Sequence, residues 1–532
     1  MRKSAAAMAV LMLGLGLSAC AGTRGIIPER EREARLHARL ESLRGDPPAL
    51  AAFLRGLPKG GDLHSHTWGA VAPEKLLEWG AEDGACVDPE RWVASNPCAP
   101  GGLPLAQVVR DPVQRAAVLG AWSLEGFSGS VAEAHQHFFD TFARYDAVQR
   151  ESRDDDGYAD ILARASEHHL LYVELMQGFG ANSAGKLATG LFSPTDPWDA
   201  ATLQARREQL LALPAFQAAV DTQAHKVARD LAGARALLQC GSARAHPGCD
   251  VEPRLIAAAN RLKDRVNVFG QWVYAYALAR RVPEIVGITL VAAEESAPSL
   301  KHYEDEMFAL GVLDDLHTRQ PGHKPLHITL HAGELTPAVL APEDARHLRF
   351  HVRAAVETAH AERIGHGVDV LGETEGGSVE ALLTRLREQG VLVEICLTSN
   401  RRLLGVTGEA HPLRAYLAHG VPVALATDDT GTLRNDLTQE YVAAVLDQGL
   451  DYATLKRLTR ASLEHAFVEG DSLWARRDDF STRTPACARD VPEPSGAAPS
   501  AGCADFLATH RRAALQWKLE QRLAAFEARE GK

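Results

Sequence analysis

Short runs rich in valine, isoleucine and leucine alternate with longer helical patterns from residue 58 onward. This alternation is typical of repeated βα units, whose strands lie parallel in one sheet. Eight such runs occur, and eight parallel strands predict an α/β fold, a (β/α)8 barrel of the TIM type. The predicted strands lie near residues 60–66, 170–176, 266–274, 284–291, 326–331, 362–366, 391–397 and 421–427.

The spacing of the strands predicts how the 532 residues are organised. The first three predicted strands are far apart, and the helical patterns at residues 131–150 and 203–238 indicate helical insertions rather than separate domains. A last helix is predicted over 506–530. The predicted parts are a signal peptide at 1–19, a helical lead-in at 20–57, a barrel at 58–475 with insertions near 85–165 and 180–260, and a disulfide-containing loop with a C-terminal helix at 476–532.

The first twenty residues predict export. Arg2 and Lys3 precede an apolar run that ends in Leu17-Ser-Ala-Cys20. This pattern resembles a bacterial lipoprotein signal, cleaved before Cys20 and lipidated on its sulfur, although an ordinary secretory signal cut nearby is the alternative. We therefore expect a periplasmic protein attached to the outer membrane by that lipid alone.

The cysteines fit an exported chain. Apart from Cys20, six of the eight fall into three sequence-local pairs, and an oxidising compartment permits disulfides, although sequence alone leaves their connectivity open. Cys396 is left over within an apolar run, which favours a buried free thiol over a nucleophile. The three pairs are Cys86 with Cys98, Cys240 with Cys249, and Cys487 with Cys503.

The formal net charge of −12 argues against a generic nucleic-acid binder. Such proteins usually carry a clustered basic face that neutralises phosphates. A small neutral or cationic partner molecule fits the charge better, and no nucleic-acid partner is expected.

His64 and His66 follow a turn and are separated by one residue. In a strand this spacing sends both imidazoles to the same face, where they can hold one metal ion. A lone His-x-His pair also arises by chance on surfaces, so the pair indicates a metal site only in combination with the other segments.

His331 and Asp428 each follow an apolar predicted strand. Because the carboxyl ends of barrel strands carry catalytic groups, we expect both side chains near the first two histidines. Three imidazoles and one carboxylate suit a catalytic zinc site, one ion per chain, with a position left open for water. A polar cap at a strand end is the alternative for either residue alone.

Glu334, His366 and Asp429 lie in or beside the same segments. Their side chains suit proton transfer: His366 and Asp429 can orient a water and accept its proton, and Glu334 can deliver one to a substrate. A structural His366, hydrogen-bonded inside the barrel, is the alternative for that residue.

Together these segments resemble the ordered motifs of the adenosine deaminase family of metal-dependent hydrolases. Weaker similarity in Tyr172-Val-Glu174 and Gly287-Ile-Thr-Leu290 extends the resemblance from about residue 58 to 470, and the export signal and cysteine pairs resemble the secreted, growth-factor-related branch. The motifs are Asp62-Leu-His-Ser-His66, His331-Ala-Gly-Glu334, Arg363-Ile-Gly-His-Gly367, Glu394-Ile-Cys396 and Thr427-Asp-Asp429.

The resemblance implies hydrolytic deamination of adenosine, and of 2′-deoxyadenosine, to inosine and ammonia. By this analogy Glu334 protonates the purine ring nitrogen, while His366 and Asp429 handle the attacking water. The implied zinc ligands are His64, His66, His331 and Asp428. Base deaminases that act on nucleic acids use a different His-x-Glu and Pro-Cys-x-x-Cys pattern, which the sequence lacks.

Departures from the family pattern concern the substrate rather than the chemistry. Trp68 stands where the family has a ribose-contacting aspartate, and Ala292 where it has a substrate-contacting glycine; Asp429 is the third expected substrate contact. Trp68 can stack on a sugar or base, or can merely pack at the barrel mouth. Thr430 follows the aspartate pair, where proline is common.

Two other functions stay open from the sequence. One is a related barrel hydrolase acting on another aminopurine nucleoside, which product analysis would separate from an adenosine deaminase. The other is a nucleoside-binding lipoprotein without turnover, against which the intact proton-transfer residues argue. The oligomeric state is not encoded in any recognisable pattern.

Overall fold

The structure is a computed structural model that describes residues 29–319, 324–494 and 496–531. The expected signal peptide and Cys20 lie outside the described residues. Among the residues it does describe, no helix is both long and apolar enough to cross a membrane.

Eight parallel strands form the central sheet, as the sequence predicts. They pair in chain order, and a bridge between Ser65 and Asp428 joins the last strand to the first, so the sheet is a nearly closed barrel. We number the barrel strands β1 to β8: Gly60–His66, Leu170–Gln177, Glu252–Asn260, Ile285–Val291, His327–Ala332, Arg363–His366, Leu392–Ile395 and Val423–Leu425.

The third strand was predicted at the wrong place. Residues 266–274 lie inside the helix Arg265–Ala279, and the strand is Glu252–Asn260. Every residue from 267 to 278 is buried, so the helix has no exposed polar face that would reveal a 3.6-residue period. Its aromatic and β-branched residues are of the types that are common in strands. The true strand is alanine-rich. A helix-start signal was present, because the Asp264 side chain accepts hydrogen bonds from the amides of Val266 and Asn267.

Helices cover the outside of the barrel and fill the insertions. The predicted 203–238 pattern is two helices that meet at Pro214, which cannot continue a helix. The predicted last helix is likewise divided, because His510 has non-helical backbone angles (φ −123°, ψ 92°). The α-helices are Glu29–Leu43, Pro47–Arg55, Thr67–Ala70, Pro73–Glu82, Leu105–Val108, Pro112–Ala121, Val131–Tyr145, Asp154–Glu167, Ala181–Thr189, Ala200–Ala212, Pro214–Leu237, Arg265–Ala279, Ala297–Thr318, His351–Glu357, Val379–Gln389, Leu397–Leu404, Leu413–Ala418, Thr430–Leu433, Leu437–Leu446, Tyr452–Glu464, Ala501–Thr509 and Arg511–Glu530.

The described part of the lead-in, residues 29–57, packs against the last helix, Arg511–Glu530. Phe53 and Phe526 lie with ring centroids 5.3 Å apart, and the Lys456 ammonium is held between Glu29, Glu33 and Glu527 at 2.6–2.9 Å. These contacts give both terminal segments a place on the barrel.

The three sequence-local cysteine pairs are disulfides in the structure. Cys86 bonds Cys98 beside a small antiparallel sheet of the first insertion, and Cys240 bonds Cys249 in the second. The third bridge joins Cys487 to Cys503. Cys396 is a buried free cysteine, also as predicted, and burial raises the pKa of its thiol well above the ordinary value, which keeps it in the unreactive protonated form.

A buried ionic cluster crosses the barrel interior. Arg363 on β6 donates to Glu394 on β7 at 2.7 Å and to Glu174 on β2, and its guanidinium lies 3.7 Å from the ring centroid of Phe467. Both carboxylates are fully buried. One arginine therefore neutralises two charges that the barrel core would not otherwise tolerate.

Replacing Arg363 with methionine should lower the free energy of unfolding by about 3–5 kcal/mol, because it leaves two buried carboxylates without their cation. Thermal or urea unfolding measures the loss. The control is Arg385→Met, which removes an exposed pair with Glu357 at 3.2 Å and should cost less than about 1 kcal/mol. Equal losses in both variants would contradict the assignment.

Candidate metal centre and active site

The sequence segments singled out above meet at the carboxyl ends of four strands. β1 carries His64 and His66, β5 ends after His331, and β6 ends at His366. Asp428 follows β8 by three residues and returns to β1 through its backbone, since its amide donates to the His64 carbonyl at 2.9 Å. Residues that are several hundred positions apart in the sequence thus lie together in one site.

Three imidazoles and one carboxylate converge there. His66 Nε2 lies 3.1 Å from His331 Nε2, and Asp428 Oδ1 lies 3.3 Å from His66 Nε2 and 3.7 Å from His64 Nε2. Ligand atoms of the three histidines all lie within 4.8 Å of one another. Four donor atoms of the right kinds therefore surround one point.

Two polar side chains orient these imidazoles from behind. Glu394 Oε2 accepts from His64 Nδ1 at 2.7 Å, and Thr289 Oγ1 lies 3.2 Å from His331 Nδ1. A carboxylate behind a histidine fixes the ring so that Nε2 faces a metal. The segments singled out in the sequence contained both Glu394 and Thr289, but neither residue was given a role there.

The electrostatics favour the state in which these groups bind a cation. Burial lowers the pKa of His66, and burial together with the neighbouring imidazoles lowers that of His331 well below its ordinary value, so both rings are neutral. Burial opposes ionisation of Asp428, yet the hydrogen bond with His66 and the adjacent imidazoles hold its pKa well below the ordinary value. Neutral imidazoles and an ionised carboxylate are the ligand forms.

One unsatisfied atom tests whether a metal fits. His64 Nε2 is buried and has no hydrogen-bond partner among the described residues, although its other nitrogen is paired with Glu394. A buried polar atom without a partner is costly unless something absent from the protein chain binds it. Three nitrogen donors and one oxygen suit zinc and related first-row metals.

Two glycines make room for the site. A Cβ atom on Gly365 would lie 2.7 Å from the His64 ring, and one on Gly69 would lie 1.5 Å from Asp429 Oδ1. Any side chain at either position would displace a site residue. These small residues explain how a histidine and an aspartate fit inside a closely packed barrel mouth.

Glu334 is held through its backbone by Glu294. Glu294 accepts hydrogen bonds from the amides of Gly333 at 3.1 Å and Glu334 at 2.8 Å, and from His351 Nδ1 at 2.6 Å. Burial, together with Asp428 and other nearby carboxylates, raises the pKa of Glu334 to about 8. Its carboxyl group therefore carries a proton near pH 7 and can donate it. Sequence reasoning missed Glu294, although it closes the Ala-Ala-Glu sequence after β4.

His366 and Asp429 lie beside this acid. His366 Nδ1 donates to Asn400 Oδ1 at 3.0 Å, so its Nε2 is the nitrogen that faces Glu334, 3.7 Å away. Asp429 Oδ1 is buried without a partner in the described chain. Burial and the adjacent Asp428 carboxylate raise the pKa of Asp429 well above its ordinary value. Beside Glu334, the site thus contains two more side chains, His366 and Asp429, that can take or give a proton.

A cavity of about 400 Å³ lies over these groups. Its floor holds the polar residues and its roof is apolar, because the first insertion lays the helix Val131–Tyr145 across the barrel mouth. Sequence reasoning missed this roof; the Phe-Phe-x-x-Phe pattern in an amphipathic helix was the available signal. The roof residues are Phe138, Phe139 and Phe142.

The three expected substrate contacts separate in the structure. Ala292 and Asp429 line the 400 Å³ cavity, whereas Trp68 lines a second cavity of about 320 Å³ and is half-buried. The two cavities share Asn260 and Val291. The Trp68 side chain is therefore a neighbour of the site rather than part of its floor.

Part of the chain is similar in sequence to known deaminases. A sequence model of the adenosine deaminase family matches residues 220–479. The adenosine deaminase of Escherichia coli (strain SE11) is 32% identical over 180 residues, 34% of this chain and 49% of the relative. The adenine deaminase of Sinorhizobium medicae (strain WSM419) is 33% identical over 195 residues, 36% and 51% of the two chains. The chain thus spans about half the length of these curated relatives.

Similar folds occur among solved structures. The adenine deaminase from Arthrobacter aurescens has a TM-score of 0.49 at 20% identity and covers 77% of this chain and 94% of its own. The apo N6-methyl-AMP deaminase from Arabidopsis thaliana has a TM-score of 0.49 at 18% identity and covers 79% and 94%.

Replacing Ala292 with glycine should stabilise the protein. Its φ of +81° lies in the left-handed region, where a Cβ atom costs about 1–2 kcal/mol, so the net gain should be about 0.5–1 kcal/mol after the entropy of the unfolded chain is counted. Thermal unfolding measures it. Ala293→Gly, at the neighbouring residue without a positive φ, should instead lose about 0.5–1 kcal/mol. A loss at both positions would contradict the strain argument.

Proposed function

We propose that this chain belongs to the adenosine deaminase family of metal-dependent hydrolases, whose sequence model matches residues 220–479, and that it deaminates adenosine and 2′-deoxyadenosine hydrolytically to inosine and ammonia. The observation that carries the proposal is the convergence of three imidazoles and Asp428 beside the buried carboxyl group of Glu334, whose pKa is raised to about 8 by burial and by nearby carboxylates. This arrangement places a metal-binding set and an acid on one cavity floor.

The proposed metal is one zinc ion, held by His64, His66, His331 and Asp428. When bound, zinc supplies Lewis-acid activation that makes a water molecule nucleophilic at neutral pH. Glu394 and Thr289 contact Nδ1 of His64 and of His331, so that Nε2 of each ring would be left to bind the ion. The unpaired His64 Nε2 is the atom that most directly supports this ligand set.

Glu334 is the proposed general acid. Its carboxyl group lines the cavity and is protonated near neutrality, so it can donate to the purine ring nitrogen next to C6 as water adds to that carbon. Donation at this nitrogen draws electrons away from C6. Glu294 fixes the direction of the acid through two backbone amides.

His366 and Asp429 are the proposed groups that orient the water and take its proton. Both residues line the cavity. His366 Nε2 lies 3.7 Å from Glu334 while its other nitrogen donates to Asn400, and Asp429 Oδ1 is buried without a partner in the described chain. A proton that leaves the water on this side can return to the amino group, which departs as ammonia. The balanced reaction consumes one water.

The proposal extends to location. We infer that the protein is exported to the periplasm and anchored by lipid on Cys20 to the outer membrane. Three disulfides in the described chain support an oxidising compartment, since such bonds seldom persist in a reducing cytoplasm.

A second activity is favoured by one comparison. A relative that covers 36% of this chain is named an adenine deaminase, so hydrolysis of the free base, or of another aminopurine nucleoside, is the competing proposal. The same metal and acid would serve it, and only the space beyond the purine would differ.

Purified mature protein should contain about one zinc per chain and release ammonia and inosine from adenosine. A chelator should abolish turnover, and added zinc should restore it, because the attacking water depends on the metal. Metal analysis and product chromatography measure both. Full activity in metal-free protein would contradict the mechanism.

Glu334→Gln should lower kcat for adenosine by at least about 10²–10⁴-fold while zinc remains bound, because the amide cannot supply the proton. Steady-state kinetics and metal analysis of the same preparation test this. Glu343→Gln changes an exposed glutamate outside the cavity and should leave kcat unchanged. Loss of zinc along with activity would instead assign Glu334 a structural role.

A further inference from the structure

A cavity lined by arginines lies at the end of the barrel opposite the proposed metal centre. It has a volume of about 230 Å³, and we call it the arginine cavity. Arg280 and Arg281 follow the helix Arg265–Ala279, which runs back from the carboxyl end of β3 toward the amino end of β4. They therefore lie away from the strand ends that carry the imidazoles. The polar lining residues are Arg207, Gln217, Tyr276, Arg280, Arg281 and His317.

The lining comes from two different parts of the chain. Arg207 and Gln217 belong to the pair of helices that meet at Pro214 in the second insertion. Tyr276 and His317 belong to two helices that cover the barrel. A ligand in the arginine cavity therefore links the second insertion to the barrel.

Two of the three arginines have no counter-charge. Arg281 donates to Asp221 and, at 2.9 Å, to Gln217 Oε1. The side chains of Arg207, which is half-buried, and Arg280, which is exposed, make no hydrogen bond or ion pair within the described chain. Among the described lining residues there is also no carboxylate. Two guanidinium groups are thus left to solvent or to a ligand.

The electrostatics of Arg207 are those of a cation that lacks a partner. Burial and the nearby Arg280 guanidinium lower the pKa of Arg207, although the adjacent Glu208 opposes this shift. Glu208 itself accepts a hydrogen bond from Gln204 at 3.0 Å. Like charges in a partly desolvated site repel each other, and a bound anion relieves that repulsion.

A buried hydroxyl group in the same cavity also lacks a partner. Tyr276 is 5% exposed, and its hydroxyl oxygen is buried without a hydrogen-bond partner in the described part of the chain. A buried polar atom of this kind indicates a water or ligand that binds it. Burial and the nearby Asp314 carboxylate raise the pKa of Tyr276 well above its ordinary value, and His360 pairs with that carboxylate at 3.0 Å. The hydroxyl therefore keeps its proton and can donate it to an anion.

We propose that the arginine cavity binds a small tetrahedral oxyanion of the phosphate class. Arg207 and Arg280 supply charge-assisted hydrogen bonds to it, and the Tyr276 hydroxyl donates another. The buried position of that hydroxyl favours a small free anion. The bound anion fastens the second insertion to the barrel, and it acts on stability at a distance from the groups proposed to carry out deamination.

Thermal unfolding of the zinc-loaded mature protein tests the proposal, with inorganic phosphate as the probe and chloride at equal pH and ionic strength as the reference. An anion that binds only the folded protein raises the Tm by mass action. We expect a rise of about 1–3 °C when phosphate is about ten to a hundred times above its Kd. No rise in the unmodified protein would overturn the proposal. The readout is unfolding rather than turnover, so it is independent of the proposed reaction.

Two variants locate the bound anion. Arg207→Met and Tyr276→Phe each remove one donor and should weaken phosphate binding by about tenfold, which removes about half or more of the rise in Tm. Arg387→Met removes an exposed arginine that pairs with Glu388 outside the cavity, and it should keep the full rise. A full rise in both cavity variants would place the phosphate elsewhere, such as at the metal centre, and would overturn the assignment.

The tyrosine variant also guards against misfolding. Without phosphate, Tyr276→Phe should unfold at the same Tm as the unmodified protein or a higher one, because it deletes a hydroxyl that has no partner. A lower Tm in chloride would mean that the hydroxyl is bonded within the protein, and this would overturn its role as a donor to the anion.

Discussion

The carboxylate of Glu394 is the interaction on which the rest of the site depends. It is fully buried, accepts from Arg363 on one oxygen at 2.7 Å and from His64 on the other at the same distance, and also accepts from Thr329 at 2.8 Å. Burial would raise the pKa of Glu394, but the adjacent Arg363 guanidinium and the His64 imidazole lower it to about 2. The same charge therefore stabilises the barrel interior and orients the imidazole of His64, a proposed metal ligand. Stability and chemistry cannot be changed independently at this position.

The barrel and its insertions contribute different things. Strand ends supply every group proposed to bind metal or move a proton, since parallel strands bring their carboxyl ends to one face. The first insertion supplies the phenylalanine roof of one cavity and part of the polar lining of the other. The groups proposed to carry out the reaction thus come from the barrel, whereas the first insertion adds side chains that line the cavities of about 400 Å³ and 320 Å³.

The errors of sequence reasoning have a common physical origin. Periodicity reports the contrast between a buried and an exposed face, and the helix Arg265–Ala279 has almost no exposed face. Its residues were therefore mistaken for a strand, and the real strand at Glu252–Asn260 was passed over. The roles of Glu294, Thr289 and Asn400 were missed for another reason: each side chain acts through a partner distant in sequence, so no local pattern reveals that role. The phenylalanine roof was missed because nothing in the helix pattern says which element it covers.

The sequence by itself determined the barrel class, seven of the eight strand positions and the candidate metal-binding and proton-transfer residues. It also indicated three local cysteine pairs, although their connectivity stayed open. These follow from local composition, from the alternation of side chains along a strand, and from motifs that can be recognised in the sequence without a structure. Only the tertiary structure decided the distances among the imidazoles, the partners of Glu334 and His64, and the position of Trp68 in a second, acidic cavity. Those properties arise where segments separated by hundreds of residues come within 4 Å, and contact at that range, together with the loss of water, sets pKa values and leaves polar atoms unpaired.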